Sequence, residues 1–218
     1  MKDGQIHQAV RVLKTEIKKW RVPVVGVVAD HTRDPFLILV STILSLRTRD
    51  AVTNEASERL FKLALTPAAL ASLENANIQK AIYPVCFYRV KTKTLKNLAK
   101  DLLARFAGQV PGTLEELLTL KGVGRKTANL VLTLGFRKPG ICVDIHVHRI
   151  SNRLGYVRTK TPEETEFALR RKLPKPYWMI FNDLLVPYGQ NLCTPLSPWC
   201  SRCRLSAMCA RRGVGRSR

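Results

Sequence analysis

Acidic residues are the scarce class in this chain. Only 16 Asp and Glu stand against 37 Lys and Arg in 218 residues, leaving a formal net charge of +21. Folding alone does not require such an imbalance, and it predicts a polyanionic partner. Long apolar runs are missing as well: none approaches the ~18 residues of a membrane helix. Met1 to Trp20 interleaves Asp3, His7, Arg11 and Lys14 with apolar positions, unlike a secretory signal. No membrane partner is expected, and an intracellular, unsecreted protein is. Repeats and low-complexity segments are absent, and strand signals are too few for a sheet, which leaves an all-α fold. Disorder is excluded in turn, because 45% hydrophobic residues suffice to bury the core of one large or two small domains.

The positive charge is concentrated. Val85 to Arg105 and Ser201 to Arg218 together supply eleven of the 21 net charges. In the first segment Arg89, Lys93, Lys96 and Lys100 recur at helical steps and would share one face, able to track phosphates. A solvated helix surface is the plainer reading of such a run. The Arg-rich C-terminal segment, with Gly213, Gly215 and Ser217, offers no residues to join a core.

Four of the six cysteines crowd into Cys193, Cys200, Cys203 and Cys209, a Cys-x6-Cys-x2-Cys-x5-Cys run. Thiolates on one short loop suit a metal better than paired disulfides. A tetrahedral zinc and a [4Fe–4S] cluster are both compatible with four such ligands, and spacing alone leaves zinc slightly ahead. Cys86 and Cys142 sit in apolar surroundings and read as small buried hydrophobes.

Helix starts are well marked. Asp34-Pro35 precedes the apolar run Phe36 to Leu46, and Thr66-Pro67 opens a short helix; each sets a capping side chain before Pro. Thr113-Leu-Glu-Glu116 and Thr161-Pro-Glu-Glu164 are capping boxes. The run to Leu46 carries enough β-branched residues to allow a strand, but its length and cap favour a buried helix ending at polar Arg47, Arg49 and Asp50.

Between Leu114 and Leu134 the pattern is helix, Leu120-Lys-Gly-Val-Gly124, helix: a helix-hairpin-helix. Gly122 and Gly124 permit positive φ and leave backbone N–H groups uncovered, so a phosphate can approach the turn and the second helix's N-terminus together. A packed turn between helices is the alternative for a lone Gly-x-Gly. Lys126 falls in the first turn of that second helix beside Arg125, where helix dipole and guanidinium both disfavour the ammonium form and favour a nucleophilic amine. Asp144, at the end of Ile141-Cys-Val-Asp144, is an acid that could take up the amine's proton or stabilise an oxocarbenium-like sugar. It could equally be the N-cap of the next helix, and the two roles are compatible.

Leu120-Lys-Gly-Val-Gly-Arg-Lys-Thr-Ala-Asn129, then Val143-Asp144-Ile-His146, then the four-cysteine run, in that order, resemble the endonuclease III family of helix-hairpin-helix DNA glycosylases from about Asp34 to Cys209. The resemblance implies Lys126 as the nucleophile that displaces a damaged pyrimidine and forms a Schiff base, and Asp144 as the assisting acid. It implies a non-catalytic [4Fe–4S] cluster on Cys193, Cys200, Cys203 and Cys209, against the zinc favoured by spacing, shaping a basic loop with Arg202 and Arg204. A six-helix domain at about 28–138, holding the hairpin at 114–134, would be inserted into a second domain of 1–27 and 139–218. Two loops would fill the gap left by a flipped nucleotide, matched here by Ser45 to Asp50 and Val85 to Tyr88. Arg47 stands where many bacterial members have Gln, Phe87 where they often have Leu, and Ile145 where Thr is common; Arg can still reach an orphaned base and Phe can wedge by stacking. Expected DNA contacts are Arg47, Phe87, Tyr88, Arg89, Lys91, Gly122, Gly124, Arg125, His146, Arg202 and Arg204.

The expected function is a bifunctional DNA glycosylase and abasic-site lyase for oxidised pyrimidines. Its partner would be double-stranded DNA with damaged or abasic nucleotides, and the protein a monomer at the nucleoid of a prokaryotic cytoplasm. A mismatch uracil or thymine glycosylase using Asp144 and water is the nearest rival, disfavoured by Lys126. A non-catalytic DNA-binding module with a zinc site is the rival of another class.

Overall fold

A computed structural model describes residues 1–20 and 33–218, so the expected domain boundary near Val28 lies outside the described residues. No strand occurs among them, and the fold is all-α as the sequence predicts. Along the chain run α1 (Ile6–Glu16), α2 (Pro35–Ser45), α3 (Asp50–Phe61), α4 (Pro67–Ser72), α5 (Asn75–Ile82), α6 (Tyr88–Phe106), α7 (Leu114–Thr119), α8 (Arg125–Leu134), α9 (Ile145–Arg153), α10 (Pro162–Lys172) and α11 (Phe181–Asn191). None of these is long and apolar enough to cross a membrane. Two compact units result, one of Met1–Pro23 with Pro139–Arg218, the other of Val24–Lys138.

In the Val24–Lys138 unit, α2 is the central rod. Asp34 Oδ1 accepts from Phe36 N at 2.7 Å and Leu37 N at 3.3 Å, and Pro35 occupies the first helical position, where no N–H is needed. Every residue from Phe36 to Leu44 is buried, so the β-branched Ile38, Val40 and Ile43 pack all round rather than alternating as in a strand. Each fully buried Leu or Ile there contributes about 1.5–3 kcal/mol. Around it pack α3, α6 and α8. The Thr66-capped Pro67–Ser72 segment forms the short helix its sequence predicts and packs against α6.

In the other unit α1 is amphipathic: Ile6, Ala9, Val10 and Leu13 fall on one face and join Val147, Ile150, Leu184, Leu185 and Tyr188 in one core. Leu205, between two of the clustered cysteines, is fully buried in that core, and Cys193, Cys203 and Cys209 pack against its edge. The C-terminal Arg segment folds back instead of trailing away. Arg218 N donates to Pro198 O at 2.8 Å, Ser201 N to Arg218 O at 2.9 Å, and the Arg218 guanidinium stacks 3.9 Å from the Trp199 ring centroid. Main-chain pairing and a cation over an indole supply the anchor that the segment's own composition lacks.

Candidate active site and four-cysteine centre

In the Val24–Lys138 unit the hairpin is built as its sequence requires, with one difference. Gly122 has φ +89, and a Cβ there would meet Thr94 Cγ2 of α6 at 2.5 Å, so both backbone and space demand glycine. Gly124 is extended at φ −94, and a Cβ there would meet nothing within 4 Å. The positive-φ argument therefore holds at Gly122 only; Gly124 keeps the surface bare ahead of α8. No side chain caps α8 from Gly124, and a helix N-terminus is the end that favours an anion. Lys126 is half-buried in that first turn, with Arg125 beside it. Below the turn Leu120 and Val123 are buried and fix the hairpin to its unit.

The same unit carries both expected gap-filling loops. Arg47 and Phe87 are exposed, both adopt left-handed backbone (φ 58 and 57), and the Arg47 guanidinium lies 5.5 Å from the Phe87 ring centroid. The Arg89 guanidinium sits 5.2 Å from the Tyr88 ring, and Arg89 is exposed. Lys91, expected to reach DNA, instead points inward and is only 7% exposed. Its Nζ donates to Leu44 O at 2.7 Å, Leu46 O at 2.6 Å and Thr48 Oγ1 at 3.2 Å. Burial pushes its ammonium down to about 8. The reason for the inward turn is the end of α2, whose last carbonyls lack helical partners and attract a cation. Lys96 does the same for α4, donating to Ala71 O at 2.6 Å and to Leu73 O. Of the expected basic face, Arg89, Lys93 and Lys100 remain exposed.

In the other unit Asp144 caps α9. Its Oδ1 accepts from His146 N and Val147 N, both at 2.8 Å, which fixes the carboxylate plane and leaves Oδ2 outside the cap. His146, expected at the DNA, is half-buried, with Nδ1 3.1 Å from Arg149 Nη2; a Cβ at Gly189 of α11 would strike that ring nitrogen, so glycine is what lets the histidine pack. Arg149 and Arg153, which the sequence reading passed over, continue one face of α9 toward the cysteines. Arg149 Nη2 donates to Gly189 O at 3.0 Å and Cys193 O at 2.8 Å. Arg153 Nη1 donates to Thr194 O at 2.7 Å and Nη2 to Pro195 O at 2.6 Å. Their mutual spacing of four, on the helix that the aspartate caps, is the signal that could have found them.

Cys193, Cys200, Cys203 and Cys209 border a single cavity with Arg153, Leu192 and Trp199. None of the six cysteines is in a disulfide. Tyr188, whose phenol burial pushes well up and so keeps neutral, has its oxygen 3.0 Å from Cys203 Sγ. Among the described residues no three Cys, His, Asp or Glu donors converge on one point that a single ion could occupy. Zinc needs four sulfurs about 2.3 Å from one centre. A cluster gives each sulfur its own iron, and the four free thiols bordering one cavity are the residues that would hold either centre. Arg202 is exposed 5.5 Å over the Trp199 ring. Arg204 is exposed but pairs at 3.4 Å with buried Glu16 of α1, which gives it a structural task beside any contact with DNA.

Residues 40–175 match the family model described as HhH-GPD superfamily base excision DNA repair protein. Endonuclease III of Thermotoga maritima is 47% identical over 188 residues, covering 85% of this chain and 88% of that protein. The chloroplastic endonuclease III homolog 2 of Arabidopsis thaliana is 46% identical over 183 residues, which cover 80% of this chain and 47% of that protein, so the chain spans about half its length. A solved structure of a trapped endonuclease III–DNA covalent intermediate, an estranged-adenine complex, matches with a TM-score of 0.86 at 31% identity, covering 97% of each chain.

Proposed function

The chain belongs to the endonuclease III family of base excision repair proteins, DNA glycosylases and AP lyases, and from that premise we infer that it excises oxidised pyrimidines from duplex DNA through Lys126 and Asp144. The observation that carries this reading is the hairpin: Gly122 in left-handed backbone, an uncapped α8 start at Gly124 and Lys126 in the first turn behind it. Phosphate held at the bare Gly122–Gly124 turn and the positive end of α8 brings a sugar to the amine without reading base sequence. Lys126 Nζ attacks C1′, the glycosidic bond breaks, and the base leaves with its electron pair and takes up a proton. The attacking group is the neutral amine, and the proton it carries after bonding to C1′ is lost to solvent or a base; Asp144 is the acid assigned to assist base loss and steady positive charge on the sugar, and its cap holds it rigid for that task. Ring opening gives a Schiff base, and loss of a C2′ proton expels the 3′ phosphate, nicking the strand 3′ to the lesion.

Cys193, Cys200, Cys203 and Cys209 would hold a [4Fe–4S] cluster, which supplies a cross-link for the loop and not a catalyst. The protein acts as a monomer on double-stranded DNA with damaged or abasic nucleotides, in a prokaryotic cytoplasm beside the nucleoid. Exposed Arg47, Phe87, Arg89 and Arg202, half-buried Tyr88 and Arg125, and Gly122 and Gly124 form the proposed DNA contacts.

Borohydride reduction on a duplex carrying an abasic site or thymine glycol tests the reading. A covalent adduct is expected with the wild type and is lost in Lys126→Gln. Retention on DNA without trapping or nicking would indicate a binding module, and base release without an adduct a monofunctional glycosylase.

A further inference from the structure

One ammonium joins the two gap-filling loops. Lys91 Nζ donates to Leu46 O and Thr48 Oγ1, the residues on either side of Arg47. Thr48 Oγ1 in turn accepts from Cys86 N at 3.2 Å, the residue before Phe87. Lys91 lies on the first turn of α6, its own N–H bonded to Phe87 O at 3.0 Å. Both loop tips are therefore tied, through one or two hydrogen bonds, to a single buried charge.

The tips hold a conformation that their residue types do not favour. Left-handed backbone costs a non-glycine residue about 1 kcal/mol or more. Arg47 and Phe87 both adopt it, at φ 58 and 57, and it persists only where surrounding bonds over-determine it. The result is an Arg guanidinium stacked over a Phe ring that is 56% exposed to solvent. An exposed aromatic with a cation on its face has a flat apolar surface for a base and a set of donors for base edges.

We propose that Lys91 is a positioning residue that presets Arg47 and Phe87 as one wedge for the gap left by an extruded nucleotide. The proposal rests on the glycosylase reading above, since only an enzyme that extrudes a nucleotide leaves such a gap. Lys91 touches no DNA in this role; it acts through the two tips. A plain C-cap of α2 would account for the Leu44 and Leu46 carbonyls, whereas Lys91 also engages Thr48 Oγ1 beyond the helix end, the same oxygen that accepts from Cys86 N.

The test uses the full chain and a duplex with thymine glycol opposite a fluorescent adenine analogue, whose emission rises when a wedge disturbs its stacking. Lys91→Met is expected to lower kcat/KM for excision about tenfold and to remove most of the emission change on binding. In an Arg47→Ala, Phe87→Ala background the same substitution should cost less than about twofold, because its route of action is already gone. A full loss in that background, or unchanged emission in Lys91→Met, overturns the proposal and leaves Lys91 as a helix cap. If Lys91→Met does not fold, Thr48→Val carries the test: it removes the hydroxyl shared by the loops, keeps both carbonyl acceptors, and should reduce the emission change in the same direction. Unchanged emission there overturns the proposal equally. Borohydride trapping and base release by the wild type separate the two levels. Wild type that gives neither an adduct nor base release overturns glycosylase reading and wedge together, whereas normal base release with unmoved emission overturns the wedge alone.

Discussion

Arg153 and Cys193 are joined side chain to side chain, with Arg153 Nη1 3.4 Å from Cys193 Sγ, while the main-chain oxygen of Arg153 lies 3.3 Å from Cys209 Sγ. The first and last cysteines of the loop thus meet at one residue of α9, which is 7% exposed and also holds the Thr194 and Pro195 carbonyls. Removing the guanidinium takes the donor from two partly buried carbonyls and frees the start of the loop. Arg153→Met should cost about 2–3 kcal/mol of stability and lower the iron bound per chain. Urea midpoints and iron assay check both, and unchanged values in both would mean that the loop does not depend on this arginine.

One substitution separates the capping task that Asp144 performs from the catalytic task proposed for it. Asn is as good a cap as Asp, so Asp144→Asn keeps the bonds to His146 N and Val147 N and forfeits only the charge at the helix start, about 0.3–1 kcal/mol. Base excision, which needs the carboxylate, should fall about 10²–10⁴-fold. Strand cleavage at an existing abasic site should fall less, because no glycosidic bond remains to break. Equal losses in the two assays would count against the role assigned to Asp144.

The two hairpin glycines predict opposite stability outcomes. Gly122→Ala meets both left-handed backbone and a 2.5 Å clash with Thr94 Cγ2, and should destabilise by about 2–3 kcal/mol while weakening duplex binding. Gly124→Ala enters open space at φ −94 and should leave stability within about 0.5 kcal/mol. Any loss of duplex affinity in Gly124→Ala then reports how closely DNA approaches the backbone. Filter binding with thermal melting distinguishes the cases, and equal destabilisation by the two changes would contradict the hairpin geometry.

Elements marked by local chemistry were legible in the sequence, and elements set by tertiary charge placement were not. Asp34, Thr66, Thr113, Asp144 and Thr161 all cap the helices they were read to start, because a cap needs only its own residue and the next three. The Gly122 turn and the four-cysteine loop were readable for the same reason. The sequence places Lys91 among the DNA contacts because its actual partners, Leu44 and Leu46, lie more than forty residues away, and nothing local distinguishes an inward lysine from an outward one. Arg59 likewise spends its guanidinium on Ala81 O at 2.8 Å and on Tyr83 O, at the end of α5. Part of the +21 charge is therefore consumed in closing helix C-termini, and the surface available to DNA is less basic than the composition implies.

Glu16 gives the pH dependence. It is 4% exposed at the end of α1, with Lys19 Nζ at 2.9 Å and Arg204 Nη1 at 3.4 Å from the same Oε1. The Lys19 bond, with Arg204 adding to it, holds the Glu16 carboxyl below its ordinary 4.5 against the opposing effect of burial. The sign follows: the folded state binds this proton less readily than the unfolded chain, so the contribution is present above 4.5 and lost as pH falls through the folded value. The stability advantage of wild type over Glu16→Gln should therefore shrink on acidification, starting near that value. Arg204→Met should narrow the window and, since the guanidinium side is 59% exposed and screened, cost no more than about 1 kcal/mol at neutral pH. Urea midpoints of the three proteins from about pH 7 to about pH 3 check this. An advantage that grew on acidification would mean that Glu16 is held protonated in the fold, and would assign Arg204 to the DNA face alone.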